Sequence, residues 1–405
     1  MRPIILLVSL LFCAVFSKAQ TQENPSKNTN LNYNGTGNSL PASVQDTTRS
    51  EMEEFKVEQR KSKESRTFRT VSNPKFGEEA EKSEKDSNES VQLKGAKYQF
   101  ESNYSNSRHQ LTRRSASPEE VFNMKQGAQL YANMLPGSFE KHFYTYLLSK
   151  YDPKQFPELQ QAAKLEPNKT EVQQELAVYG VAVNDQELAD SMAIQMIAQN
   201  KISDGLLSYA EDMVNSVPTN GTLLLHGYTE LIPVNFEKNT LGRADIQLIS
   251  VDLMQSTTYQ ASLTAQGFVM PTSSFVDTTF VQTFCALNSS KNIYMSMSFP
   301  KEYFQGMTSS LNTVGLTFAY DQATSFDYNA WNISLIETKW NKLKLGIAND
   351  QQSDALSANY LPALISVARL YEEYNKTEDA KEINHIIMSV ATRARKTGQL
   401  SKIKR

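Results

Sequence analysis

The stretch from Asn220 to Tyr259 reads NGTLLLHGYTELIPVNFEKNTLGRADIQLISVDLMQSTTY. An apolar run, Thr222 to Leu225, leads into a glycine-containing turn at Gly227. A polar segment with helical potential follows, then a second apolar run from Ile246 to Val251, an acidic residue (Asp252) and another helical pattern. Strand, turn, helix, strand and helix in that order are the rhythm of a parallel-sheet unit. Open sheets of this kind bind ligands beyond the carboxyl ends of their strands. His226, Tyr228, Glu230 and Asp252 therefore fall where chemistry would occur.

Downstream, residues 292–299 read as a third strand, Pro300-Lys301-Glu302 opens a helix predicted to run to Leu311, and Val314 to Tyr320 reads as a fourth strand. Residues 354–375 and 377–396 form a closing helical hairpin with Leu361, Leu364, Ile365 and Leu370 as its apolar stripe. Upstream, Ser117-Pro118-Glu119-Glu120 supplies a cap, a proline in the first turn and early acids, a helix start. Helical patterns follow at 138–151, 154–164, 170–183, 186–199 and 203–216. The run Ala162-Ala163-Lys164-Leu165-Glu166-Pro167-Asn168 resembles the turn between tetratricopeptide repeats, where proline ends one helix and launches the next. A plain helical hairpin covering the sheet is the competing reading.

The first 20 residues carry one early positive charge (Arg2), an apolar core and the small-x-small pattern Ser17-Lys18-Ala19, which together read as a secretory signal peptide. Residues 20–117 are rich in Ser, Asn, Glu, Lys and Gln, with apolar residues scattered singly, and read as a disordered low-complexity tether. Tyr98, Phe100 and Tyr104, near its end, read as solvated chain more readily than as a docking element. The expected organisation is a signal peptide (1–19), the tether (20–117), a tetratricopeptide-like helical region (118–216), an α/β domain (217–350) and a C-terminal helical hairpin (351–405). The expected fold class is α/β with helical repeats, the hairpins flanking a small, mostly parallel sheet.

Beyond the signal pattern, Cys285 is the single cysteine, so no intramolecular disulfide is available, and its apolar neighbours make it a buried small hydrophobe. A formal charge of −3 gives no electrostatic case for nucleic acid as a partner. No later run is long and apolar enough to span a bilayer. The four histidines, His109, His142, His226 and His385, are far apart, and no His-x-x-x-His or Cys-x-x-Cys occurs, so no metal site is expected. Serine-elbow, dinucleotide and Walker patterns are missing too, and no cofactor is expected. His226, Glu230 and Asp252 have the residue types for an acid–base cluster. Polar residues at strand ends more often cap helices or bond loop amides. Asp46-Thr47-Thr48 resembles an acceptor for O-glycosylation, with Thr47 the most accessible candidate.

The order of these features resembles the soluble C-terminal region of Bacteroidota DUF2723 membrane proteins, which are glycosyltransferase-like, and of their free-standing relatives. Asn220-Gly221, Leu223-Leu224-Leu225, Gly227, Pro233, Arg243-Ala244-Asp245-Ile246, Ser250-Val251-Asp252 and Tyr259 carry the likeness, with Phe299-Pro300-Lys301-Glu302-Tyr303 and Val314-Gly315-Leu316-Thr317 further on. The family's acidic turn, Gly-Asp-Asn-Asp-Thr, is replaced here by Gly227-Tyr228-Thr229-Glu230-Leu231, so both aspartates are gone. The resemblance implies an envelope module of a Bacteroidota bacterium without implying transferase activity. The expected function is a non-catalytic periplasmic interaction protein, a scaffold or adaptor with an envelope protein as partner. The alternative is a glycan-binding or residual glycan-modifying module centred on His226, Tyr228, Glu230 and Asp252. The expected location is the periplasm, with outer-membrane association left open.

Overall fold

The computed structural model describes residues 74–109, 113–320, 326–340, 351–354 and 356–398. The signal pattern, Thr47 and most of the tether lie outside the described residues.

Five short strands form one mixed sheet: β1 (Thr222–Leu225), β2 (Gln247–Ser250), β3 (Ile293–Ser296), β4 (Leu311–Val314) and β5 (Thr317–Tyr320), in the order β2-β1-β3-β5-β4. β1 lies at the centre of the parallel part, with Leu224 opposite Ile249 of β2 on one side and Met295 of β3 on the other. β3 pairs with β5 and β5 with β4 in antiparallel register. The sheet is therefore mixed, not mostly parallel as expected. All four residues of β1 are buried, as a strand covered on both faces requires.

The expected helix from Pro300 to Leu311 and the single fourth strand give way to different structure. A four-residue helix, Lys301–Phe304, is followed by an antiparallel hairpin, β4 and β5, turning at Gly315-Leu316. Gly315 has φ +54°, the left-handed conformation that glycine adopts without strain. Its neighbours Val314, Leu316 and Phe318 are apolar, so the turn is hidden inside what reads as one hydrophobic run. Likewise, residues 278–287 form a helix that the sequence reading left unassigned.

The tether gives the largest correction. Pro74–His109 forms a helix, α1, packed along α2 (Pro118–Met134). Ala96 and Phe100 are buried, and Phe100 stacks on Tyr144 with ring centroids 3.8 Å apart. Tyr104 is half-buried and donates to Glu175 at 3.0 Å, while Tyr98 is exposed. Ala96, Phe100 and Tyr104 recur every four residues, which places them on one helical face. The many polar residues between them lower the mean hydropathy and mask the stripe.

Next come α3 (Phe139–Leu147), α4 (Phe156–Leu165), α5 (Thr170–Val183), α6 (Gln186–Ala198) and α7 (Asp204–Ser216). Ser117 caps α2 through a reciprocal bond pair with Glu120, which satisfies two backbone donors at the helix start. α5 and α6 form a tight antiparallel hairpin, with Asn184 left-handed at φ +59° and Asp185 capping α6. α8 (Tyr228–Thr240) connects β1 to β2, and α9 (Thr257–Ala265) and α10 (Thr278–Leu287) precede β3. α11 (Leu361–Glu373) and α12 (Thr377–Arg393) close the fold as the expected hairpin, turning at left-handed Asn375.

Two apolar clusters result. One joins α1 to α5, and the larger one surrounds the sheet and reaches α12. They meet where Tyr151 packs against both. No helix among the described residues is long and apolar enough to cross a membrane.

Gly180 lets α5 and α6 approach. A Cβ there would sit 2.8 Å from both Ala189 N and Asp185 O, closer than real Cβ contacts. Gly180→Val is expected to lower unfolding stability by about 2 kcal/mol, as overpacking does, read from a urea midpoint shift at unchanged slope.

Candidate functional site

The chain leaves β1 towards β2 on one side and returns to β3 on the other, so the sheet has a topological switch point between β1 and β3. His226 directly follows β1, Asp252 follows β2 by two residues, and Ser296 ends β3. Glu230 stands in the first turn of α8. The fold thus gathers His226, Tyr228, Glu230 and Asp252 at one end of the sheet, and all four are buried. They do not form an exposed rim loop: Gly227-Tyr228-Thr229-Glu230 is the start of a helix, with Gly227 as its N-cap at φ +99°.

Glu230 spans the switch point. Ser296 Oγ donates to its Oε1 at 2.6 Å and Ser298 Oγ to its Oε2 at 2.8 Å. The His226 amide points at Oε2 from 3.5 Å. Burial raises the Glu230 carboxyl from 4.5 to about 7, against the opposing pull of the two hydroxyls. Asp252 accepts from the Gly227 amide at 2.7 Å and so anchors the start of α8 to the end of β2.

The residue that joins these groups is Arg114, which the sequence reading placed in the tether. Residues 113–115 form a short strap beside the start of α10, a bridge at Arg113 followed by bends. Arg113 bridges Asp277 in antiparallel fashion, the Arg114 amide donates to Val276 O at 2.9 Å, and Ser115 Oγ accepts from Val276 N at 3.4 Å. The strap drives the Arg114 side chain inward. Its Nη2 meets His226 Nδ1, and its Nη1 lies 3.5 Å from Asp252 Oδ1 and donates to Arg108 O at 2.7 Å. With Nδ1 accepting from the guanidinium, His226 carries its proton on Nε2. Burial, then the Arg114 charge, hold His226 well below its ordinary pKa, so the ring is neutral. His226, Glu230 and Asp252 therefore do not form the acid–base relay their types suggest. Arg114 separates the histidine from Asp252, and two serines hold Glu230.

A second arginine sits beside the first. The Arg108 guanidinium lies 3.9 Å from the centroid of the Tyr228 ring, a cation–π contact, and 3.5 Å from Glu175 of α5. Phe299 and Tyr303 complete the wall, with ring centroids 4.9 Å and 5.4 Å from His226. Burial raises the Glu175 carboxyl, against the Arg108 charge.

Sequence reasoning missed Arg108, Arg114, Glu175, Ser296, Ser298 and Tyr303. The strand-end position of Ser296 and Ser298 is a usable signal, since β3 was recognised; for the two arginines the sequence holds none. Among the described residues no group of three or more His, Cys, Asp or Glu is placed to hold a metal ion. Cys285 is buried beside Met295, Sγ to Sδ 3.9 Å, and burial pushes its thiol up to about 12. Comparison with protein-family models, curated proteins and solved structures returns no match.

Arg114→Met leaves Asp252 buried without its cation, and is expected to cost about 3–5 kcal/mol in chemical unfolding. Pairing it with Asp252→Asn should recover part of that loss. For Glu230, the folded state favours the protonated acid. Its contribution is full below the unfolded value of 4.5 and declines as pH rises through about 7. Neutral His226 acts oppositely, costing stability as pH falls below 6.5. Glu230→Gln isolates the carboxyl: relative to the native chain, the variant should gain stability from pH 4.5 to 8. A constant difference in melting temperature across that range would show that Glu230 does not titrate between the two states.

Proposed function

We propose that this chain is a non-catalytic interaction protein, a scaffold or adaptor, of the envelope of a Bacteroidota bacterium. One observation carries the reading: at the carboxyl end of the sheet, where an α/β fold places a ligand, the residues after β1 and β2 hold the chain's own Arg114, through His226 and Asp252, with the Arg108 carbonyl beside them. A side chain so held leaves Asp252 and His226 engaged in structure. The likeness to the soluble region of DUF2723-type proteins supports an envelope setting, and the signal pattern supports export to the periplasm. The α5–α6 and α11–α12 hairpins read as degenerate tetratricopeptide-like units, a class of surface that receives extended protein segments.

The test is crosslinking in the native envelope, identification by mass spectrometry, and reconstitution of a purified pair. A stoichiometric complex formed equally by the native chain and by Glu230→Gln is the expected result. Saturable glycan binding that Glu230→Gln abolishes, with no protein complex, would replace the adaptor with a glycan-binding module at Tyr228 and Glu230.

A further inference from the structure

The strap at residues 113–115 is anchored by one side chain. Its backbone meets the segment before α10 through the Arg113–Asp277 bridge and the Arg114 amide on Val276 O at 2.9 Å, with Ser115 Oγ accepting from Val276 N at 3.4 Å. Arg114 is the anchor, buried with His226 on one side and Asp252 on the other.

The contact with His226 depends on a bare nitrogen. A guanidinium donates and never accepts, so Arg114 Nη2 meets Nδ1 only while that nitrogen carries no proton. The proton of the neutral ring then sits on Nε2, a buried atom with no hydrogen-bond partner. A second proton would set an N–H against the guanidinium and put a positive charge beside Arg114, with no acceptor for either ring N–H. A protonated His226 and a docked Arg114 therefore exclude one another.

We propose that residues 113–115 are an acid-released strap: a proton on His226 expels the Arg114 side chain from the end of the sheet and frees the strap from α10. At neutral pH Arg114 stays in place, as the adaptor reading requires. The switch itself is a property of the chain alone and does not rest on that reading.

The groups around the imidazole set the sign. Arg114 faces it from the strap, with Asp252 beyond Arg114 at the end of β2; Glu230 of α8 meets the His226 amide, and Tyr303 stands beside the ring from the helix after β3. Docked, the imidazole is held well below its ordinary 6.5 by burial and then by the Arg114 charge; released, it returns towards 6.5. The released state holds the extra proton, so release grows as pH falls through 6.5. Glu230 keeps Ser296 and Ser298 in both states, and loss of the Arg114 charge, which pulls its carboxyl down, favours proton uptake as well. Glu175 keeps Tyr104 and Arg108, which belong to α1 and not to the strap.

Hydrogen exchange of the Arg114 and Val276 amides, followed by NMR at matched pH in the purified chain and in His226→Gln, tests this. Gln offers Arg114 an acceptor oxygen and does not titrate. The expected result is an opening insensitive to low urea and, relative to the variant, about tenfold more frequent at pH 5.5 than at pH 7.5. Equal pH dependence in the two chains overturns the proposal. So does exchange with the urea dependence of the β1 and β2 amides, which marks unfolding of the whole body. If His226→Gln does not fold, the native chain decides through its His226 ring resonances. They should stay those of a neutral imidazole down to pH 5.5 while the Arg114 amide is protected; titration near 6.5 with that amide still protected overturns the proposal.

Discussion

A single buried guanidinium ties the two halves of this molecule together. Arg114 lies between His226 and Asp252, so the residue after β1 and the residue after β2 are both fixed through a side chain from a strap some hundred residues earlier. The backbone of the strap is itself held, by the Val276 carbonyl and by the bridge to Asp277 at the cap of α10. An ion pair taken out of water is not a cheap source of stability. Its value here is positional, because a displaced Arg114 leaves one carboxylate and one imidazole without their partner.

The same strap explains why α1 is ordered. A long polar helix has little to gain alone, but α1 brings Phe100 to Tyr144, Tyr104 to Glu175 and Arg108 to Tyr228. Those contacts reach α3, α5 and α8, so one helix edge spans both apolar clusters. Arg108 and Arg114 then stand side by side, each with its own carboxylate, Glu175 and Asp252. The arrangement places two cationic side chains at the end of a sheet whose own loops supply two acids, Glu230 and Asp252.

Local pattern made part of this legible in the sequence. Thr222–Leu225 and Gln247–Ser250 pair in parallel register, as their apolar runs around a helical segment imply. The Thr170–Val183 and Gln186–Ala198 pair follows from Asn184-Asp185, one residue able to turn left-handed and one able to cap. What the sequence hid is what depends on distant partners. The β4–β5 turn is apolar on both sides, so hydropathy reads it as one strand. Phe100 sits at proper helical spacing in a segment whose average polarity outweighs it. Arg114 is one of two adjacent arginines in a polar stretch, and nothing local says that one faces Glu120 while the other enters the interior. His226, Tyr228, Glu230 and Asp252 lie at strand ends that local pattern places; their partners come from elsewhere in the chain.

Cys285, the single cysteine among the described residues, has a consequence for how this region meets its neighbours. Cys285 lies wholly inside, against Met295 and among the phenylalanines of α10. A sulfur kept protonated and out of reach cannot exchange with small oxidants or with another chain's thiol. In an oxidising surrounding Cys285 therefore forms no mixed disulfide while this region stays folded.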